Sequence, residues 1–210
     1  MAYDRHNPSP RYREMVALYC TLHSDGERRL GLTPEETYPG VSLLPHLARI
    51  RTLIERTGAR TLLDYGCGKG LQYELVGFDA PGVGRIDSVV DYWDVDEIAC
   101  YDPCHAPFST LPTGLFDGVI STDVLEHCGE EDLAWIVAEM FAYARRFVFA
   151  AVASYPAKTH LPNGENAHVT IRPAEWWRTL FAAAAAARPE IEWSVFIDTA
   201  GLRVAPPGAD

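Results

Sequence analysis

The sequence has no long apolar run and no apolar leader. No stretch approaches the roughly 18 consecutive apolar residues of a membrane-spanning helix. The first ten residues are polar and include two prolines, unlike the apolar centre of a secretory signal. We therefore expect a cytoplasmic protein with no membrane partner.

Basic residues are also scarce. The chain of 210 residues has 18 Lys and Arg against 29 Asp and Glu, which gives a formal net charge of −11. A surface that grips nucleic-acid phosphates needs clustered Lys and Arg, so no nucleic-acid partner is expected. The hydrophobic share of 48% is that of an ordinary globular chain, and the length suits one domain over residues 1–210.

The cysteines lack the spacing of a zinc or redox motif. There are five, and no two of them form a Cys-x-x-Cys pair. Cys100 and Cys104 lie near each other beside His105, but the sequence supplies no complete set of four ligands there. The expectation is reduced thiols and no metal site.

Hydrophobic periodicity predicts helices alternating with strands. The predicted helices are 11–22, 41–57, 131–143 and 173–187, and the predicted strands are 61–64, 96–101, 116–121, 146–154 and 190–197. Residues 71–76 can open a further helix, and residues 81–95 suggest an irregular insertion. This alternation predicts an α/β, Rossmann-like, mostly parallel sheet with helices on both faces. A short strand near 202–204 can join the last one in an antiparallel edge.

A glycine-rich turn follows the first predicted strand. Residues 61–70 read TLLDYGCGKG, in which an acid ends the strand and glycines stand at alternate positions. Glycine tolerates positive φ and lets a ligand lie against bare backbone, although many α/β proteins carry such a turn for structural reasons alone. The dinucleotide fingerprint Gly-x-Gly-x-x-Gly differs, because its third glycine comes one position later and its acid about 20 residues further on.

Two further segments extend the pattern. Residues 116–127 read FDGVISTDVLEH, and Tyr101-Asp102-Pro103 lies between them and the glycine turn. Together the three segments resemble the class I S-adenosylmethionine-dependent methyltransferase superfamily, whose signature is an acid-x-Gly-x-Gly-x-Gly turn followed by a Val-Leu-Glu-His phrase. The resemblance covers residues 61–127 and is silent on the methyl acceptor.

The resemblance implies a site for S-adenosyl-L-methionine at the carboxyl ends of the strands. Asp64 and the glycine turn would hold the methionine part, Asp102 would hold the ribose hydroxyls, and Asp123 would lie near the sulfonium. The implied cofactor-binding residues are Asp64, Gly66, Cys67, Gly68, Gly70, Asp102, Ser121 and Asp123. A carboxylate can accept two hydrogen bonds from a vicinal diol, but an Asp before Pro is also a common turn signal.

Two intervals depart from the family pattern. The connection from Gly70 to Asp102 is long and acidic, which predicts an insertion. The connection from Asp102 to Phe116 is short, which predicts that one edge strand and its helix are missing. The adenine contact must then come from elsewhere, and the backbone of residues 106–108 is our candidate. The open sheet edge can pair with a second copy, so a homo-oligomer is one expectation.

Three histidines are candidate general bases, namely His127, His160 and His168. His168 ranks first because it follows the fourth predicted strand, where the family commonly builds its acceptor pocket. His127 ranks second, at the ligand edge of the sheet. Histidine suits proton removal near neutral pH, but a lone histidine is more often a helix-end or core-edge residue.

The flanking segments are assigned to the same site. Residues 1–57 are expected to form an N-terminal helical cap, and residues 155–181 a loop and helix around the acceptor. Trp176 and Trp177 are adjacent, so only one can face fully inward and the other could wall the acceptor pocket. Core packing of the helix is the simpler interpretation of both.

The expected activity is methyl transfer from S-adenosyl-L-methionine to a small-molecule acceptor, at oxygen or nitrogen. Such a transfer needs alignment of the reactants, and a base helps where the acceptor is a hydroxyl. Two alternatives stay open. One is a non-catalytic nucleoside-binding module that docks a partner on the same fold, and the other is a nicotinamide-dependent Rossmann oxidoreductase.

Overall fold

The computed structural model of the chain describes residues 3–200, so the strand predicted near 202–204 lies outside them. The strands are β1 (Thr61–Tyr65), β2 (Phe78–Ala80), β3 (Gly84–Ile86), β4 (Glu97–Tyr101), β5 (Phe116–Thr122), β6 (Ala144–Ala153) and β7 (Glu192–Asp198). The α-helices are α1 (Pro10–Asp25), α2 (Leu47–Thr57), α3 (Val89–Trp93), α4 (Glu130–Tyr143) and α5 (Ala174–Ala185). Turns of 3₁₀ helix lie at Val41–His46, Leu71–Tyr73, Ala106–Phe108 and Leu125–His127.

The main sheet has five parallel strands in the order β4-β1-β5-β6-β7. The α/β, Rossmann-like fold expected from the sequence is therefore confirmed. Between β4 and β5 the chain makes only the turn at Ala106–Phe108, so β4 is an outer strand, as the short interval predicted. The expected antiparallel edge needs the strand near 202–204 and so falls outside the described residues. On its other side β7 pairs with β6. It runs parallel to β6 because α5 crosses over the sheet and returns the chain in the same direction.

Successive residues of the central strands face opposite sides of the sheet, as a period of two requires. One side packs against α2, α3 and the turn at Val41–His46 through Leu62, Ile120, Phe147 and Phe149. The other side packs against α4 and α5 through Leu63, Val119, Val148 and Ala150. Trp177 of α5 is fully buried in this second core, as the packing interpretation predicted. No helix within residues 3–200 is long and apolar enough to cross a bilayer.

The insertion after the glycine turn is more regular than the sequence indicated. The irregular segment predicted at 81–95 is wrong, because β2 and β3 form an antiparallel hairpin and α3 follows it. Trp93 anchors this unit, since it is 2% exposed and its indole N–H donates to the Leu47 carbonyl at 3.0 Å. The helix predicted from Leu71 is only the 3₁₀ turn at Leu71–Tyr73. Strands of three residues are too short to give a readable alternation.

Helix α1 lies over the carboxyl edge of the main sheet. Its apolar residues pack against Leu161 and Ala167 of the loop after β6. At its start, the backbone N–H and the hydroxyl of Ser9 both donate to the Asp132 carboxylate of α4, the N–H at 3.0 Å. Because Asp132 is fully buried, this tie fixes the beginning of α1 against α4.

Gly118→Ala in β5 tests the packing of the first core. A Cβ at this position would lie 2.3 Å from the Phe147 ring and 2.8 Å from Leu62, both fully buried. We expect a loss of about 2 kcal/mol or more in the free energy of unfolding, measured by denaturant titration. Gly129→Ala is the control, since its Cβ would meet only the movable side chains of Arg11 and Glu131. Equal stability of the two variants would contradict the packing.

Candidate functional site

Strand order reverses between β1 and β5, because the chain leaves β1 for β4 on one side and returns to β5 on the other. Ligands of open α/β sheets bind beyond the carboxyl ends of the strands at such a point. A cavity of about 330 Å³ lies there, within the range of small-molecule sites. The predicted residues that line it are Gly66, Gly68, Asp102, Asp123 and His127.

The other predicted residues lie behind the cavity wall. Asp64, Cys67, Gly70, Ser121 and His168 are buried without lining the cavity. The candidate adenine contact at Ala106–Phe108 does not line it either, and the Phe108 ring packs against Gly70. In place of Ala106–Phe108, the connection after Asp102 lines the cavity with Pro103 and Cys104. The roles proposed for these residues stay predictions.

The glycine turn is packed against the chain itself. Gly66 and Gly68 have φ values of +91° and +60°. A Cβ on Gly68 would lie 2.4 Å from the Tyr38 carbonyl oxygen, and one on Gly66 would lie 2.4 Å from the Val124 side chain. The sequence motif predicts that a ligand lies against the bare backbone of these glycines. Tyr38 and Val124 occupy part of that space instead. The cavity follows only the remaining side of the turn.

Every backbone N–H of the turn has a partner. The six N–H groups from Gly66 to Leu71 donate to the carbonyls of Tyr101, Tyr38, Cys67 and Pro39 and to the carboxylate of Asp102. The Lys69 ammonium donates to the Thr37 carbonyl at 2.8 Å. A phosphate cradle needs unpaired N–H groups and benefits from a helix N-terminus, but only the 3₁₀ turn at Leu71–Tyr73 follows here. The turn does not offer a phosphate site.

Asp102 connects the end of β4 to the glycine turn. Its Oδ2 accepts from the Gly68 N–H at 3.0 Å, and its Oδ1 accepts from the Cys104 N–H at 2.8 Å. Burial raises the pKa of this carboxyl, and the backbone hydrogen bonds oppose that rise. Each carboxylate oxygen keeps further acceptor capacity, so Asp102 can hold the turn and still bind hydroxyls in the cavity.

Asp64 is a buried carboxyl below the turn. Its Oδ2 accepts from the Tyr73 hydroxyl at 2.8 Å and from the Gln72 amide at 3.1 Å. Its Oδ1 has no hydrogen-bond partner within residues 3–200. Burial, opposed by the two hydrogen bonds, raises the pKa of Asp64 to about 7. The sequence motif marked this residue, but its direct partners are protein side chains.

The cavity is closed on the side away from the sheet by α1 and the segment 36–42. The residues of α1 that line it are Tyr12, Met15, Val16, Tyr19 and His23. Tyr38 has φ +52°, an unfavourable backbone conformation for a bulky residue, and it lies over the glycine turn. The Tyr38 hydroxyl and the His23 Nδ1 are buried and lack partners in the described part of the chain. Both atoms are available to a polar ligand.

Arg5 secures the N-terminal segment against the sheet. Its guanidinium donates to the hydroxyls of Tyr65 and Tyr101 at 2.6 and 2.7 Å, and to Glu139 of α4 at 2.7 Å. Both tyrosines line the cavity. Sequence reasoning missed this network, because its nearest partner is 60 residues from Arg5 and no local pattern marks it.

Asp123, His127 and His168 converge at the end of β5. Asp123 has φ +61°, which turns the chain out of the strand. The Nε2 of His168 lies 3.9 Å from the Oδ1 of Asp123, and the two imidazole centroids are 4.9 Å apart. Burial holds the pKa of His127 below its usual range, so the ring is neutral at pH 7. The two higher-ranked candidate bases therefore belong to one cluster.

The loop after β6 positions His168 through Asn166. The Asn166 amide donates to the Ala157 carbonyl at 2.8 Å. Its oxygen accepts from the backbone N–H groups of Ala157 and His168 at 2.9 and 3.0 Å. Helix α5 packs with the core and not with the cavity, and Trp176 lies beside Arg172. The loop reaches the candidate site, but the helix that was assigned with it does not.

A smaller cavity of about 90 Å³ lies on the other side of Asp123. Asp123, Glu126 and Tyr155 are among its lining residues. Glu126 is 0% exposed, and its Oε1 accepts from the Ala153 N–H at 2.5 Å. Burial, and next the charge of Asp123, raise the pKa of Glu126 well above its usual range. In the sequence, Glu126 appears only as part of the Val-Leu-Glu-His phrase, and nothing there indicates that its carboxyl is buried beside a cavity.

Comparison with known proteins assigns no family. No protein-family model, no curated protein and no solved structure matches this chain at a significant level. The methyltransferase resemblance therefore depends on the sequence motifs alone. A function for the cavity has to be inferred from the residues that line it.

The pH dependence of stability in Asp64→Asn tests whether burial raises the pKa of the Asp64 carboxyl. The folded-state pKa of about 7 lies above the ordinary aspartate value of 3.8, so ionisation is disfavoured in the fold. The neutral carboxyl therefore contributes its full stability below pH 3.8, and the wild type loses this stability relative to the Asn variant as pH rises toward 7. We expect the difference in unfolding free energy between the two proteins to change by about 4 kcal/mol across this range. Denaturant titrations at both ends measure it, and a constant difference would contradict the assignment.

Proposed function

We propose that the chain is a methyltransferase that uses S-adenosyl-L-methionine to methylate a small molecule at oxygen or nitrogen. The observation that carries the proposal is the cavity at the strand-order reversal. It is bounded by the glycine turn after β1, by Asp102 after β4 and by Asp123 after β5. The nucleoside would lie along the open side of the turn, with its ribose at Asp102 and its sulfonium toward Asp123.

The charge of the cavity suits a cationic ligand. Asp102, Asp123 and Glu36 line it, and S-adenosyl-L-methionine carries a sulfonium and an ammonium. The turn's own cation, Lys69, is directed to the Thr37 carbonyl and does not compete for these acids. The aromatic residues of α1 supply apolar surface, which small-molecule sites combine with a few polar groups.

The two alternatives are less well supported. A nicotinamide dinucleotide needs a pyrophosphate site, and the paired N–H groups from Gly66 to Leu71 do not supply one. A non-catalytic module needs no place for a second reactant. Here a smaller cavity of about 90 Å³ adjoins the larger one, and Asp123 lines both, which supports this end of the site as the side where an acceptor would approach.

His168 stays the first-ranked base within this proposal, although it lines neither cavity and reaches them only beside Asp123, which lines both. Its Nδ1 lies 2.6 Å from the Tyr155 carbonyl oxygen. Since a carbonyl only accepts, the proton of the neutral ring is on Nδ1, and Nε2 is free to accept a proton near Asp123. His127 lines the larger cavity and is the second candidate.

The proposal is tested by calorimetry with S-adenosyl-L-methionine and its demethylated product, S-adenosyl-L-homocysteine. We expect a Kd in the range of about 1 to 100 μM, typical of such sites. Asp102→Asn should weaken binding by about 1 to 2 kcal/mol, because the ribose hydroxyls lose a charged acceptor. A ligand analogue that lacks both ribose hydroxyls is the control, and it should bind the wild type and the variant alike.

Absence of binding to both nucleosides would overturn the proposal. If Asp102→Asn weakened binding of the analogue by the same factor as binding of the cofactor, Asp102 would act by holding the turn and not by binding the ribose. Mass spectrometry of a metabolite extract incubated with protein and cofactor then identifies the methylated product. Binding without any turnover would favour the non-catalytic module.

A further inference from the structure

The cluster of Asp123, His127 and His168 has the composition of a metal site. Each residue offers one ligand atom, and these atoms all lie within 4.8 Å of one another. Within residues 3–200 this is the sole such group of three or more. Cys100, Cys104 and His105, which the sequence places near one another, do not form one.

Both imidazoles are oriented as metal-bound histidines are. The Nδ1 of His168 donates to the Tyr155 carbonyl, and the Nδ1 of His127 lies 3.0 Å from the Ala167 carbonyl. Metal-ligating histidines usually donate their second ring N–H to a carbonyl or carboxylate, which leaves the other nitrogen for the ion. In His168 this arrangement leaves the lone pair on Nε2. The Nδ1 of His127 also lies 2.7 Å from the Tyr19 hydroxyl, which itself reaches the Ala167 carbonyl, so the orientation of this hydroxyl sets the tautomer of His127. Both rings are held before any ion binds.

Glu126 supplies a second, independent observation. Its side chain is fully buried, and its Oε2 has no hydrogen-bond partner within residues 3–200. Glu126 and Asp123 both line the smaller cavity. A buried carboxyl oxygen without a partner is costly, and a polar ligand or ion in this cavity would satisfy it.

We propose that Asp123, His127 and His168 bind one divalent first-row transition-metal ion. Imidazole and carboxylate ligands suit ions such as Zn²⁺, Co²⁺ and Mn²⁺. Bonds of about 2.1 Å place tetrahedral ligand atoms roughly 3.4 Å apart, so the cluster must contract by about 1 Å. The Asp123 side chain, which is 46% exposed, is free to make that movement. This site departs from the sequence expectation of no metal.

Three protein ligands leave coordination positions open. Asp123 lines both cavities and His127 lines the larger one, so the ion would lie at the boundary between them. A bound ion would take the Nε2 lone pair that the base role of His168 requires, so His168 could act as the base only in the metal-free protein. The open positions of the ion suit an oxygen ligand, such as a hydroxyl or carboxylate of the acceptor. This last step depends on the proposed methyltransferase function, whereas metal binding itself does not.

The test titrates chelator-treated full-length protein with Co²⁺ and with Zn²⁺, by calorimetry and, for Co²⁺, by visible absorption. We expect one ion per chain. His168→Ala and Asp123→Asn should each weaken binding at least tenfold. Asn is chosen at position 123 because it tolerates positive φ as well as Asp does. His160→Ala, in the same loop and outside the cluster, is the matched control and should change the affinity less than twofold.

A readout on the wild type avoids any effect of the variants on folding. In long-range ¹H–¹⁵N spectra, Zn²⁺ should shift the Nε2 resonances of His127 and His168 and leave those of His160 unchanged. Absence of saturable binding at one ion per chain, or wild-type affinity in folded His168→Ala, would overturn the proposal. Binding of S-adenosyl-L-homocysteine to metal-free protein is measured separately. Its failure would overturn the methyltransferase function and leave the metal result intact.

Discussion

The close approach of backbone at the glycine turn is the constraint on which the rest of the site depends. Val124, after β5, occupies the place where a Gly66 side chain would be, and the Tyr38 carbonyl occupies that of Gly68. Positive φ at both glycines lets the turn pass between them. Because Gly68 also donates to Asp102, three separate segments are held at the strand-order reversal by one turn. The cavity is the space left between these segments and α1.

The site combines this rigid turn with several features that lower the stability of the fold. Asp64 and Glu126 are buried carboxyls whose pKa values are raised by burial, and Asp123 and Tyr38 have positive φ. Each lowers stability, and each lies at or directly behind the cavity or cluster. Unfavourable conformations and buried charges persist when the surrounding structure holds them, and they concentrate at functional sites. Their concentration at one edge of the sheet supports a functional interpretation of that edge.

The N-terminal segment covers one side of the cavity. Ser9 is tied to Asp132, Arg5 to Tyr65, Tyr101 and Glu139, and the Tyr19 hydroxyl to the Ala167 carbonyl at 2.5 Å. These bonds join α1 to α4, to the sheet and to the loop after β6. A ligand in the cavity would therefore be covered by residues remote in sequence from the motifs that resemble a methyltransferase. Cover on this side reduces the contact of a ligand with water, which strengthens electrostatic contacts.

The sequence by itself determined the parallel α/β sheet, its missing edge strand, and the glycine turn with Asp102 and Asp123 at strand ends. Periodicity and turn residues act over a few neighbours, so a single chain displays them. Only the tertiary structure decided that Tyr38 covers the turn and that Asp64 faces Tyr73. It also decided that the Oε2 of Glu126 has no partner among residues 3–200, and that His127 and His168 meet at Asp123. Those relations join residues far apart in the chain. They follow from strand order and loop packing, for which local patterns carry no signal.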